Sequence, residues 1–120
     1  MDKKVKVLME WFEGKKLGPY LLEVWPTNRC NLRCIMCGTW ARVRSLNLSL
    51  QDLQKEWEGE MSDQKFLEIV NECCKLGTKE ILITGGGEPF VRKGLVFEMM
   101  KIAKTNGLRG YINTNGTLLE

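Results

Sequence analysis

Residues 81–89 read Ile-Leu-Ile-Thr-Gly-Gly-Gly-Glu-Pro, a short apolar run that passes into a glycine-rich turn. The apolar run is typical of a buried strand, and glycines permit the tight turn that must follow it. The pattern predicts a helix on each side, one from the N-cap Ser62 to about Leu76 and one from about Lys93 to Thr105. A strand between two amphipathic helices indicates βαβ units and a parallel sheet.

Two further apolar stretches predict the neighbouring strands. One is the run from Tyr20 to Trp25, which two prolines bound, and the other runs from Gly110 to Thr114. We therefore expect an α/β fold of parallel βα units. A closed eight-stranded barrel takes about 250 residues, so we expect a truncated piece of a larger α/β protein or an unusually small relative.

The rest of the chain divides into a lead and a core domain. Residues 1–18 are a lysine-rich lead segment, and residues 19–120 form the predicted core. Within residues 38–61 the leucines indicate a short strand or turn and then a helix that Ser49 caps. No apolar run approaches a membrane span and the first residues do not resemble a signal peptide, so we expect a cytoplasmic location and no membrane partner.

Composition excludes several classes of function. A net charge of +3 is too small to indicate nucleic-acid binding. Residues 1–44 carry nine Lys and Arg against four Asp and Glu, which could favour an anionic ligand or be a solvated surface. Five cysteines exclude a complete disulfide framework, and the absence of histidine excludes Ser-His and Cys-His nucleophile pairs.

Three cysteines form the strongest chemical signal. Cys30, Cys34 and Cys37 follow the first strand with the spacing C-x3-C-x2-C, and three thiolates on one loop can bind one face of a soft-metal centre. An iron–sulfur cluster usually has four cysteine ligands, and the other two cysteines, 73 and 74, fall in the middle of a predicted helix. If those two cysteines do not reach the cluster, one iron has no protein ligand and stays open to an exchangeable ligand. The alternatives are a structural zinc site, a redox C-x-x-C pair or three unrelated structural cysteines.

The turn after the second strand has the chemistry of a cation site. Glu88 would repel a phosphate and attract an ammonium group, and Pro89 removes a donor, so that the preceding carbonyls dominate. The alternative is a tight turn with a solvated glutamate. Residues 113–116, Asn-Thr-Asn-Gly, likewise end the third strand in a turn that could offer hydroxyl and amide groups. Since ligands gather at the carboxyl ends of parallel strands, we expect all three motifs at one edge of the sheet.

The motifs together resemble the radical S-adenosylmethionine (radical SAM) superfamily. The resemblance is carried by residues 30–37, Cys-Asn-Leu-Arg-Cys-Ile-Met-Cys, by Gly-Gly-Glu-Pro at 86–89 after Thr-Gly, and by Thr-Asn-Gly at 114–116. It covers about residues 19–120 and implies that they form the first part, the front half, of that family's partial (β/α)6 TIM-like barrel. Two departures are Met36, where the family commonly has an aromatic residue, and the missing back half, without which SAM affinity and turnover of these 120 residues alone would be poor.

The resemblance implies a set of roles. Cys30, Cys34 and Cys37 would ligate three irons of a [4Fe–4S] cluster, and the amino and carboxylate groups of SAM would chelate the fourth. The ammonium of SAM would lie against the turn formed by Gly86, Gly87, Glu88 and Pro89, and its adenine against Met36. No residue is assigned as a catalytic acid or base.

The implied reaction is reductive cleavage of SAM. A one-electron reductant of the flavodoxin or ferredoxin type would reduce the cluster, and the 5′-deoxyadenosyl radical formed would abstract hydrogen from an unknown peptide or small molecule. The alternatives are a non-catalytic iron–sulfur or zinc-binding module and an inactive truncated fragment.

Overall fold

The computed structural model describes all 120 residues as three parallel strands that alternate with helices. Five helices form: α1 (Lys3–Phe12), α2 (Gly38–Ser45), α3 (Leu50–Glu58), α4 (Asp63–Lys75) and α5 (Lys93–Thr105). Three strands form: β1 (Leu21–Val24), β2 (Glu80–Ile83) and β3 (Arg109–Ile112). A single 3₁₀ turn, Pro89–Arg92, leads into α5. The predicted α/β class is confirmed.

The sheet is open and has the order β1-β2-β3, with both pairs parallel. Ile83 is the last paired residue of β2, and it lies opposite Val24 of β1 and Ile112 of β3. The three strands therefore end level with one another. As a consequence, the segments that follow them leave the sheet at the same edge.

The core lies between one face of β2 and helices α4 and α5. Ile81 and Ile83 are fully buried and face this layer, whereas Leu82, on the opposite face, is only partly buried. Burial of such a side chain contributes about 1.5–3 kcal/mol. The core contains ten buried apolar residues in one cluster: Val24, Phe66, Val70, Ile81, Ile83, Phe90, Leu95, Val96, Met99 and Ala103. This layer fixes β2 against two helices and so holds the site-bearing edge.

Capping residues set the helix boundaries as the sequence predicts. The Ser62 hydroxyl accepts a hydrogen bond from the Lys65 amide and starts α4, and Ser49 forms a capping box with Asp52 at the start of α3. Helix α5 spans the predicted residues. These three helices confirm the predictions made from the sequence.

Helix α2 and strand β3 differ from the predictions, and helix α1 forms in the lead segment, where no helix was predicted. Residues 38–45 form α2, where the sequence indicated no helix; this helix has no acidic residue in its first turn, and its one buried residue is Trp40. Strand β3 ends at Ile112 rather than at Thr114. The Asn113 amide still donates to the Ile83 carbonyl at 2.9 Å, and beyond it the Thr114 hydroxyl bonds to Glu88 in the turn after β2.

Helix α1 lies outside the core. None of its residues is buried, and Phe12 is 92% exposed. The two longest helices, α4 and α5, have 13 residues each, and no helix combines the length and apolar character that crossing a bilayer requires.

Candidate functional site

The three motifs meet in one cleft at the carboxyl ends of the strands. The cleft has a volume of about 250 Å³ and no lysine or arginine in its walls. Its lining comes from the cysteine loop, from the turn after β2 and from the end of β3: Cys30, Leu32, Cys34, Thr84, Gly85, Gly87, Glu88, Asn113, Thr114 and Asn115. Level strand ends explain this arrangement, since each loop starts from the same height of the sheet.

The turn after β2 packs directly on the residues that lead into the cysteine loop. The Gly87 amide donates to the Thr27 carbonyl at 3.1 Å, and the Glu88 amide donates to the Arg29 carbonyl at 2.8 Å. A β-carbon on residue 87 would overlap that carbonyl of Arg29. Only glycine therefore allows the two segments to approach so closely.

Glu88 is buried and links the turn to the end of β3. Its side chain is almost fully enclosed, with the residue 2% exposed. Oε1 accepts from the Phe90 amide at 3.0 Å and from the Thr114 hydroxyl at 2.7 Å, and Oε2 accepts from the Asn115 amide at 2.7 Å. A carboxylate offers about four acceptor positions, so three are occupied from within the chain.

The cysteine loop is held by short-range and long-range contacts. The Leu32 amide lies 3.4 Å from the Cys30 sulfur. The Arg44 guanidinium, from α2, donates to the Ile35 carbonyl at 2.8 Å. The guanidinium of Arg33 lies over the buried Trp40 ring at 4.9 Å. The loop is thus anchored to α2 while Cys34 stays exposed.

Cys37 is the N-cap residue of α2. The backbone N–H of Trp40 is the main cause of a lowered pKa of the Cys37 thiol, which burial partly opposes and which Thr39 and Arg44 reinforce. The sulfur forms no capping hydrogen bond, so the effect comes from amide dipoles that point toward it. A lower pKa favours the thiolate, the form that binds metal.

The cysteines do not form a single-ion site. No group of three or more His, Cys, Asp or Glu side chains converges closely enough to hold one metal ion. Cys30 and Cys34 line the cleft, whereas Cys37 lies at the start of α2. Cys73 and Cys74 belong to α4 and do not line the cleft; Cys74 packs against the core.

Only some of the predicted SAM-binding residues line the cleft. Gly87 and Glu88 line the cleft, but Gly86, Pro89 and Met36 do not. The Gly86 carbonyl accepts from the Thr39 hydroxyl at 2.9 Å, Pro89 is buried in the 3₁₀ turn, and Met36 is 84% exposed.

Six residues that line the cleft are not among the site residues predicted from the sequence: Leu32, Thr84, Gly85, Asn113, Thr114 and Asn115. Gly85 lies in the turn with φ +144°, and Asn113 bonds Thr84 at 3.2 Å. The run of three glycines was the sequence signal that could have found Gly85. The run alone does not show which two of its three glycines face the cleft.

The donor set of the cleft fits an iron–sulfur cluster that also binds an amino acid. One wall carries cysteine sulfur, the ligand type of such clusters. Gly85 and Gly87 also line the cleft, and their carbonyl oxygens accept no hydrogen bond from the chain. Glu88 retains acceptor capacity. These oxygens suit an ammonium group, and no cation in the lining opposes it.

Comparison with known proteins agrees with this chemistry. The sequence model of the family described as Radical SAM superfamily matches residues 24–120. No solved structure matches the chain.

Similar curated proteins are much longer than this chain. One is Fe-coproporphyrin III synthase of Methanosarcina barkeri, 33% identical over 90% of this chain and 26% of the relative. The GTP 3′,8-cyclase of Peptoclostridium acidaminophilum is 35% identical over 100% of this chain and 33% of the relative. The GTP 3′,8-cyclase of Geobacter sulfurreducens is 35% identical over 88% of this chain and 29% of the relative. The chain thus spans about a quarter to a third of their length. From the cleft chemistry and the match over residues 24–120, the chain belongs to the radical SAM superfamily.

Proposed function

We propose that this chain is the cofactor-binding part of a radical SAM enzyme. Cys30, Cys34 and Cys37 would hold a [4Fe–4S] cluster, and the turn after β2 would hold the ammonium group of SAM. The observation that carries the proposal is the shared cleft, which brings cysteine sulfur and unpartnered backbone carbonyls together at the carboxyl ends of three parallel strands.

The cluster, held by Cys30, Cys34 and Cys37, would supply the one electron for reductive cleavage of SAM to methionine and a 5′-deoxyadenosyl radical, which would abstract hydrogen from a substrate. The chain's own residues bind and orient. The carbonyls of Gly85 and Gly87 and the carboxylate of Glu88 would fix the amino end of SAM. Met36, which is exposed next to the last cysteine of the motif, would lie against the adenine ring through its backbone. None of these residues transfers a proton, which agrees with the absence of histidine from the chain.

The proposed division is a lead of residues 1–18 and a core of residues 19–120. It is supported by the start of the family match at residue 24 and by helix α1, which contributes nothing to the core. The proposed partners are a one-electron reductant of the flavodoxin or ferredoxin type and a peptide or small-molecule substrate.

Anaerobic reconstitution tests the proposal. The chain is incubated with iron and sulfide, freed of unbound metal and examined by visible and electron paramagnetic resonance (EPR) spectroscopy. We expect a brown protein with a reduced-cluster signal that changes when SAM is added, because SAM would occupy the open iron. A colourless protein that retains zinc instead would support the metal-module alternative.

Cysteine variants supply the matched control. We expect Cys34→Ala to lose the chromophore and Cys73→Ala to keep it, because only the first residue lies at the cleft. Equal cluster content in both variants would contradict the ligand assignment.

A further inference from the structure

Glu60 contacts the segment that leads into the cysteine loop. It lies in the turn between α3 and α4. Its Oε1 accepts from the Thr27 hydroxyl at 2.8 Å and from the Asn28 amide at 2.8 Å. Its Oε2 accepts from the Thr27 hydroxyl at 3.0 Å and lies 3.6 Å from Arg29 Nε. The Glu60 side chain is only 12% exposed.

Thr27 connects this carboxylate to the loop. The residue is 3% exposed, and its hydroxyl accepts from the Arg29 amide at 3.0 Å while it donates to Glu60. Its carbonyl accepts from the Gly87 amide. Residues 27–29 are therefore held by Glu60 on one side and by the turn after β2 on the other, and Cys30 follows directly.

The cost of burying a carboxylate makes this arrangement informative. An ionised carboxylate removed from water is unfavourable unless hydrogen bonds and opposite charge replace its hydration. All the polar partners of the Glu60 side chain belong to three consecutive residues, and Glu60 is not part of the hydrophobic core. The burial of Glu60 therefore determines the position of one segment, residues 27–29.

We propose that Glu60 is a positioning residue for the cluster-binding loop. By fixing residues 27–29 it sets the direction in which the chain enters Cys30, and thereby the place of the first of the three thiolates. This inference rests on the proposed function, because the loop is taken to bind a cluster. The ligand in question is the iron–sulfur cluster itself, and Glu60 does not touch it.

Two substitutions of Glu60 separate positioning from bulk stability. Glu60→Ala removes every acceptor, whereas Glu60→Gln keeps one oxygen that can accept both bonds made to Oε1. After anaerobic reconstitution of the full 120-residue chain, we measure iron and sulfide per chain and the rate of iron loss to a chelator. We expect Glu60→Ala to hold iron about 10- to 100-fold less tightly, the range for loss of an outer-shell partner, and Glu60→Gln to retain most of the wild-type affinity.

Controls exclude a general effect of the substitutions. Glu58→Ala, two residues away, removes an exposed glutamate at the end of α3 that makes no hydrogen bond or ion pair, and it should match the wild type. Thr27→Val should weaken iron binding, and the double variant with Glu60→Ala should lose less than the sum of the two single losses, because the two residues share a hydrogen bond.

The outcomes are distinguishable. Iron retention by Glu60→Ala equal to that of the wild type would overturn the inference while leaving the proposed function intact. Equal iron loss in Glu60→Ala and Glu60→Gln, each matched by the same fall in thermal stability of the metal-free chain, would also overturn it, since a structural role alone explains that result. Failure of the wild-type chain itself to bind a cluster would overturn both the proposed function and the inference that rests on it.

Discussion

The α-carbon of Gly87 lies against the carbonyl group of Arg29, with no room for a β-carbon between them. The amide of the next residue, Glu88, donates to the same carbonyl at 2.8 Å. This backbone-to-backbone contact joins the turn after β2 to the start of the cysteine loop. Since neither partner is a flexible side chain, the contact cannot be relieved by a rotamer change.

Gly87→Ala should therefore destabilise the fold. The new methyl group would overlap the Arg29 carbonyl and the Asn28 backbone, and we expect a loss of about 1–3 kcal/mol in the free energy of unfolding, the usual cost of overpacking. Urea unfolding followed by circular dichroism measures this loss. An unfolding free energy equal to that of the wild type would contradict the observed contact.

Gly94→Ala is the matched control for that substitution. Gly94 lies in the first turn of α5, and a β-carbon there meets nothing within 4 Å. Replacing a helical glycine by alanine stabilises by up to about 1 kcal/mol, so this variant should change stability in the opposite direction.

The sequence predicted the elements whose signals are local. Ser62 as an N-cap and the apolar spacing after Lys93 each predict a helix without knowledge of the rest of the chain, and both helices form. Helix α2 carries few apolar residues, and its buried Trp40 contacts Arg33 of the preceding loop. Its stability depends on tertiary contacts, which periodicity does not reveal.

The position of the site was predictable for a similar reason, but its internal contacts were not. Parallel strands bring the following loops to one edge, so three motifs after three strands must lie near one another. The bonds from Thr114 and Asn115 to Glu88 join residues 26 and 27 positions apart. Only the fold brings these residues together, so the sequence did not predict that Glu88 links the turn after β2 to the end of β3.

Glu88→Gln should weaken that link. The NH2 group of glutamine must face either the Asn115 backbone amide or the donors from Phe90 and Thr114. The first orientation opposes it to one donor and the second to two. An unsatisfied buried group costs about 1–3 kcal/mol, which we expect to observe as lower resistance to urea. Glu98→Gln, at an exposed ion pair with Lys101, should change stability by less than about 1 kcal/mol. Similar losses in the two variants would contradict a buried role for Glu88.

Asn115 provides a second link between β3 and the cysteine loop. Its side-chain amide donates to Asn31 Oδ1 at 3.0 Å and lies 4.0 Å from the Cys30 sulfur. Asn115→Ala keeps the backbone bond to Glu88 but removes these contacts. We expect faster iron loss to a chelator from the reconstituted chain, with little change in its melting temperature.

Asn71→Ala is the control for this variant, because Asn71 lies on the exposed face of α4 and bonds only its own helix. The same rate of iron loss in both asparagine variants would show that Asn115 does not hold the loop.

Cys37 and Cys74 should differ in thiol reactivity. Backbone N–H groups of Trp40 and Thr39 lower the pKa of Cys37, whereas burial, with a smaller contribution from the neighbouring Cys73, raises the pKa of Cys74. Because the thiolate is the nucleophile, Cys37 should be alkylated at a lower pH than Cys74 in the metal-free chain. Iodoacetamide labelling across a pH series, with peptide mass spectrometry to assign each site, measures both profiles. Labelling of Cys74 at a lower pH than Cys37 would mean that the amides of α2 do not act on the Cys37 sulfur.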